Sequence, residues 1–148
     1  MQHLASFKGT KPGWQGWVER ITRWVTKSQY SHSEVCIGNP FEGVVLCVSS
    51  VGTDGGVRGK MMQLDPKDWD IVPLPWVTEM QLTDFLATHK GEGYDLIGCV
   101  RSVVPFVSRE HTDKWFCSEV CATIAGYQDA WRFHPGVLHV SISAKQEL

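Results

Sequence analysis

No stretch of this chain is long and apolar enough to cross a bilayer. The longest apolar runs, such as "VVLCV" at 44–48, fall far short of the about 18–20 residues needed. The N-terminus has no signal-peptide h-region, so a soluble, cytoplasmic protein made without a secretion signal is expected. Positive charge is not in excess either. A formal net charge of -2 and a pI near 6.3 provide no broad cationic surface, so no nucleic-acid partner is expected. No CxxC pair occurs among the five cysteines (36, 47, 99, 117 and 121), and the first three lie inside apolar segments. A disulfide framework is therefore not expected. Structural zinc usually takes close ligand pairs, and although Cys117 and Cys121 share a helical face and six histidines are available, neither a metal nor another cofactor is expected.

With 43% hydrophobic and 20% charged residues, the 148 residues fit one globular domain spanning 1–148. "LASFKG" near the start reads as a short strand. In "WQGWVERITRWVTKS", Trp17, Ile21, Trp24 and Val25 fall at i, i+4, i+7 and i+8, opposite Glu19, Arg20 and Arg23, which predicts an amphipathic helix. Its tryptophans are most simply core. "YSHSEVCIG" and "VVLCVSS" flank the turn-like "NPFEG" and predict an antiparallel hairpin. "VGTDGGVRGK" leads into "VRGKMMQL", and "WDIVPLP" reads as a further strand whose prolines limit its pairing. Thr78 and Gln81 form a capping-box start for a helix with Met80, Leu82, Phe85 and Leu86 on its apolar side and Gly91 as a stop. "YDLIGCVRSVV" reads as a third short helix, "PFVSREHTD" as a loop, and "CSEVCATIAGY" as a helix with Val120, Cys121, Ile124 and Ala125 facing inward. The tail "HPGVLHVSIS" alternates enough to be a last strand or an extended arm. The order points to an α+β domain with an antiparallel sheet packed against helices.

Three places could carry chemistry. If a helix begins at Cys117, the thiol stands beside unpaired first-turn N–H groups and the positive end of the dipole, a setting that favours thiolate. The same donors can face a developing oxyanion. Free cysteine is also among the most buried residue types, so burial in a core is the competing reading. In "SHSEV", strand alternation puts His32 and Glu34 on one face, where a carboxylate can fix the imidazole tautomer. With the turn centred near Phe41, His32 is expected opposite Ser49 or Ser50, and either serine could line the same cleft. Asp54 and Asp70 are further acidic candidates ranked below Glu34.

"SHSE" early, "GYD" at 93–95 and "FCSEV" late resemble the circularly permuted NlpC-like branch of the papain superfamily. That branch includes YiiX/YaeF-type amidases and, more distantly, lecithin:retinol acyltransferase. The resemblance runs roughly from Trp17 to Leu138 and is strongest to short stand-alone versions from bacteriophages and bacteria. It implies a permuted papain-like fold in which Cys117 at a helix N-terminus is the nucleophile and His32 on a strand the base, with Glu34 chosen as the third member from the strand geometry. Tyr94 matches a tyrosine near the family's site, and Ser49, Ser50 and Ser118 join it as expected cleft residues. The implied activity is a thiol hydrolase, amidase- or peptidase-like, or an acyltransferase working through a covalent acyl-enzyme. Its substrate would bear an amide or ester: a peptide, a peptidoglycan fragment or a lipid. The rival reading keeps the fold without the activity, as an accessory protein that binds a peptide, lipid or host protein.

Overall fold

Five antiparallel strands organise the chain, whose computed structural model describes residues 1–95 and 113–147. They are β1 (Gln2–Phe7), β2 (His32–Ile37), β3 (Val45–Val51), β4 (Gly56–Met62) and β5 (Trp69–Leu74), ordered β4-β3-β2-β1-β5. Pro73 sits in β5, an edge strand, where a missing N–H interrupts no second ladder. The β2–β3 hairpin turns on Asn39, whose side-chain oxygen accepts from the Phe41 N–H at 3.0 Å, an Asx turn. Two residues each of β6 (Gly93–Tyr94) and β7 (Lys114–Trp115) form a separate parallel ladder.

The pleat divides the sheet's residues into two sets. Leu4, Val35, Val48, Val57, Val72 and Leu74 belong to the main core, with Leu82 and Phe85 of α2 (Glu79–His89), Val120, Cys121 and Ile124 of α3 (Cys117–Ile124), and Leu138 and Ile142 of α4 (Pro135–Gln146). The alternate residues Ala5, Cys36 and Cys47 form a smaller cluster with Leu64, against which Phe41, Met62, Trp69 and Ile71 pack. The architecture is thus α+β: an antiparallel sheet with helices on one face. The capping box expected at Thr78 is present, with the Gln81 N–H donating to Thr78 Oγ1 at 3.2 Å and Gln81 Oε1 accepting from the Thr78 N–H at 2.8 Å. Of the apolar side expected for α2, Leu82 and Phe85 are buried, while Met80 faces solvent.

Three expectations are corrected. The tail forms helix α4 instead of a strand: His134 accepts from the Val137 N–H, Pro135 occupies the first turn, and Leu138 and Ile142 are buried four apart. Proline suits the first helical turn because its missing N–H would have no helical partner. Helix α1 (Trp14–Thr26) forms, but its apolar stripe faces outward. Among the described side chains of the helix, Gly16, Glu19, Thr22 and Thr26 are the buried residues. They win because polar bonds fix the helix: Glu19 accepts from the Lys11 N–H at 3.0 Å, and Arg23 donates to the Gly9 carbonyl. Gly16 packs so closely on Lys11 that a Cβ there would lie 2.1 Å from the Lys11 carbonyl oxygen. Finally, the hairpin pairs Val35 with Val48 and Cys36 with Cys47. This register counts back to Glu34 beside Ser49 and His32 beside Val51, so His32 stands opposite neither serine. The third short helix and the loop expected over 94–113, with Cys99, lie mostly outside the described residues.

Candidate functional site

Alternation along β2 places His32 and Glu34 with Cys36, on the face away from the helices. The two side chains meet there: His32 Nε2 donates to Glu34 Oε1 at 2.8 Å. The imidazole also meets Trp69 edge to face, with ring centroids 6.1 Å apart. Glu34 is only 1% exposed, and its charge is answered by a residue not singled out in the sequence. Arg58 on β4 donates from Nη1 to Glu34 Oε2 at 2.7 Å and from Nη2 to Oε1 at 2.5 Å, a two-pronged pairing. Its Nε reaches Asp54 at 3.0 Å, which makes Asp54 a partner of Arg58 in this array. Burial alone would raise the Glu34 carboxyl, but the hydrogen bonds and charges of His32 and Arg58 outweigh it and hold the group below the usual carboxylate range. Burial would lower the Arg58 guanidinium, yet Glu34 and Asp54 raise it further.

The signal for Arg58 lay in the ladder. β3 pairs Ser49 with Arg58, so a correct hairpin register brings Glu34, Ser49 and Arg58 into one cross-strand row. Ser49 Oγ donates to the Ser33 carbonyl at 2.6 Å. Ser50 belongs to the alternate, helix-facing set with Ser33, and both hydroxyls are buried with no hydrogen-bond partner among the described residues. Asp70 is turned elsewhere, bonded to Lys8 at 2.6 Å and to Tyr30 at 2.7 Å. It takes no part in orienting His32.

Cys117 opens helix α3 and is buried with Phe116, against which the Tyr94 ring packs. The N-cap is Phe116, which has no side-chain acceptor and makes no cap hydrogen bond. Glu119 instead reaches back to the Phe116 N–H at 3.4 Å. Ser118 is tied to the Phe133 carbonyl at 2.5 Å, which commits its hydroxyl to holding the helix start. Cys121, one turn on, is fully buried; burial first, then the charges of Cys117 and Glu34, push its thiol well above the ordinary range. It is a core residue.

Tyr94 fixes where this helix start lies on the sheet. A Cβ on Gly52, directly after β3, would stand 3.2 Å from the Tyr94 ring. Because β2 runs antiparallel to β3, that end is also where His32 begins β2. Cys117 and His32 therefore share one end of the sheet, while α3 packs on the face carrying Val35 and the pleat aims His32 at Trp69 on the other. Among the described residues no group of three or more His, Cys, Asp or Glu side chains could hold a metal ion, and no helix is long and apolar enough to cross a membrane. Comparison of the sequence with known proteins finds no matching family model and no similar curated protein.

Proposed function

We propose that the chain is a cysteine-dependent hydrolase or acyltransferase on a permuted NlpC-like papain fold, with Cys117 as nucleophile and His32 as base. The observation that carries the reading is the join between two halves. An imidazole fixed by a buried, ionised carboxylate begins β2, and a cysteine begins α3 at the same end of the sheet. Thiolate is favoured at a helix N-terminus, and first-turn N–H groups are the kind of donor that stabilises the oxyanion of a tetrahedral intermediate. In the reaction Cys117 Sγ attacks the carbonyl of an amide or ester, and His32 takes the thiol proton and passes it to the leaving amine or alcohol. Water or a second acceptor then releases the acyl group. His32 is the first residue of β2 and so stands at the end of the sheet where α3 begins. Tyr94 would line the cleft.

The pleat's separation of His32 from the face that α3 covers, together with the commitment of Glu34 to Arg58, favours one rival: a catalytically silent protein binding a peptide, lipid or host protein at the same end. Alkylation by iodoacetamide at pH 6, read peptide by peptide, separates the two. The catalytic reading expects Cys117 to react faster than free cysteine and to lose at least about tenfold in rate in His32→Ala, since a general base is typically worth about 10²–10⁴. Reactivity no greater than that of free cysteine, or unchanged in His32→Ala, removes the dyad.

A further inference from the structure

Helix α1 turns its polar attachments to the body and three large apolar side chains to solvent. Trp17, Ile21 and Trp24 are 63%, 55% and 81% exposed, and their i, i+4, i+7 spacing makes one stripe about 10 Å long. Lys11, Arg20 and Lys27 are exposed along the same segment. Glu19 is the only acid between residues 8 and 33, and it is buried on the opposite side, accepting from the Lys11 N–H. The exposed charge of this stretch is wholly cationic, although the chain as a whole is slightly acidic. A cleft of about 340 Å³ lined by Thr10, Lys11, Gly13, Trp17 and Arg20, among others, opens at the first turn, where the stripe meets two of the cations.

We propose that this face of α1 docks the protein on an anionic lipid bilayer, lying in the plane of the interface. Trp17, Ile21 and Trp24 enter the headgroup boundary, where indole rings are favoured, while Lys11, Arg20 and Lys27 meet lipid phosphates. Charge decides for lipid: an apolar strip flanked along its own segment by the exposed Lys11, Arg20 and Lys27 matches a negatively charged surface. Area argues against a second copy of the chain. At about 150–250 Å² for a full aromatic side chain, three partly exposed side chains present well under the about 800 Å² per partner of a stable protein interface. The inference is independent of the thiol chemistry proposed above.

Vesicle flotation of the full chain tests it. Binding to phosphatidylcholine–phosphatidylglycerol vesicles is expected at low salt, weakening as salt rises, with none to phosphatidylcholine alone. Trp24→Glu should abolish binding, and Arg20→Gln and Lys27→Asn should each weaken it about fivefold. These side chains are exposed, so unchanged melting temperatures verify that the variants fold, and Ile21→Asp provides a second disruption of the stripe. Absence of binding to the anionic vesicles, equal binding to neutral ones, or binding unaffected by both Trp24→Glu and Ile21→Asp overturns the proposal. A dimer that Trp24→Glu dissolves, without vesicle binding, also overturns it and assigns the face to a second copy.

Discussion

Arg58→Met isolates the carboxylate at the centre of the array. The substitution keeps most of the aliphatic stem and removes the guanidinium that holds both oxygens of Glu34 at 2.7 and 2.5 Å. Side-chain exposures of 13% for Arg58 and 1% for Glu34 put the pair in the buried regime, where removal of one partner costs about 3–5 kcal/mol because a charge is left without compensation. His32 remains hydrogen-bonded to Glu34 at 2.8 Å, which places the expectation near the lower end, about 3 kcal/mol. For a domain of this size that is roughly 6–12 °C in melting temperature. The pH dependence provides the sharper check. In the native protein the Glu34 carboxyl titrates below its unfolded value, so its contribution is present above the unfolded carboxylate range and lost as pH falls through the folded value. In Arg58→Met the pull of Arg58 is lost while that of His32 remains, so the folded value rises and the contribution present above the carboxylate range shrinks. The stability gap between the two proteins, followed by urea unfolding, should be widest near pH 7 and narrow steadily toward pH 3. A gap under about 1 kcal/mol at pH 7, or one independent of pH, refutes the assignment of Arg58, beside His32, as a charge that helps keep Glu34 ionised.

Two further perturbations probe the frame around the site. Leu138→Ala should cost about 2–5 kcal/mol in urea unfolding, whereas Val140→Asp, at a side chain turned to solvent, should be nearly neutral; equal costs would restore the strand reading of the tail, which puts 138 and 140 on one face. His139 is bonded to Ser6 at 2.9 Å, stacks on Tyr30, and titrates below its ordinary value because burial outweighs the pull of Asp70. A lowered histidine is neutral in the fold, so stability should be full above about pH 6.5 and decline as pH falls below it; melts from pH 7.5 to 5 should fall less steeply in His139→Gln, and identical slopes would remove the linkage.

What the sequence revealed and what it hid follow from the range of the forces involved. Helix α2 was legible to its cap because Thr78 and Gln81 act within four residues. The parity of His32 and Glu34 was legible because alternation is a property of one strand. Arg58 was hidden, since its pairing with Glu34 depends on two successive ladder registers, and the hairpin centre estimated near Phe41 was displaced far enough to set His32 opposite the wrong residues. The tail misled through composition: Val137, Val140 and Ile142 favour a strand on propensity, but the His134 cap and Pro135 at the helix start outweigh it. In α1 the spacing gave the right helix and the wrong inward face. An amphipathic period says which residues share a side, whereas Glu19 and Arg23, bonded to backbone beyond the helix, decide which side is buried.

Burial does not select a nucleophile among the described cysteines, because Cys36, Cys47, Cys117 and Cys121 are all buried. Their surroundings do. Cys36 and Cys47 face each other across the β2–β3 ladder with sulfurs 3.1 Å apart, and that mutual hydrogen bond, reinforced by burial, pushes the Cys36 thiol well above the ordinary range. Cys121 is raised by burial in the middle of the core. Cys117 differs from the three in its place in the backbone: it opens a helix, at the positive end of the dipole, and the N-cap residue before it carries no side-chain acceptor. A Phe116→Ser substitution would supply that cap. If the first-turn donors serve chemistry, Cys117 should be alkylated more slowly in Phe116→Ser than in Phe116→Ala, which removes the same buried ring without supplying a cap; equal rates, or a faster Phe116→Ser, would mean that the helix start is structural, and the case for Cys117 would lose its electrostatic half.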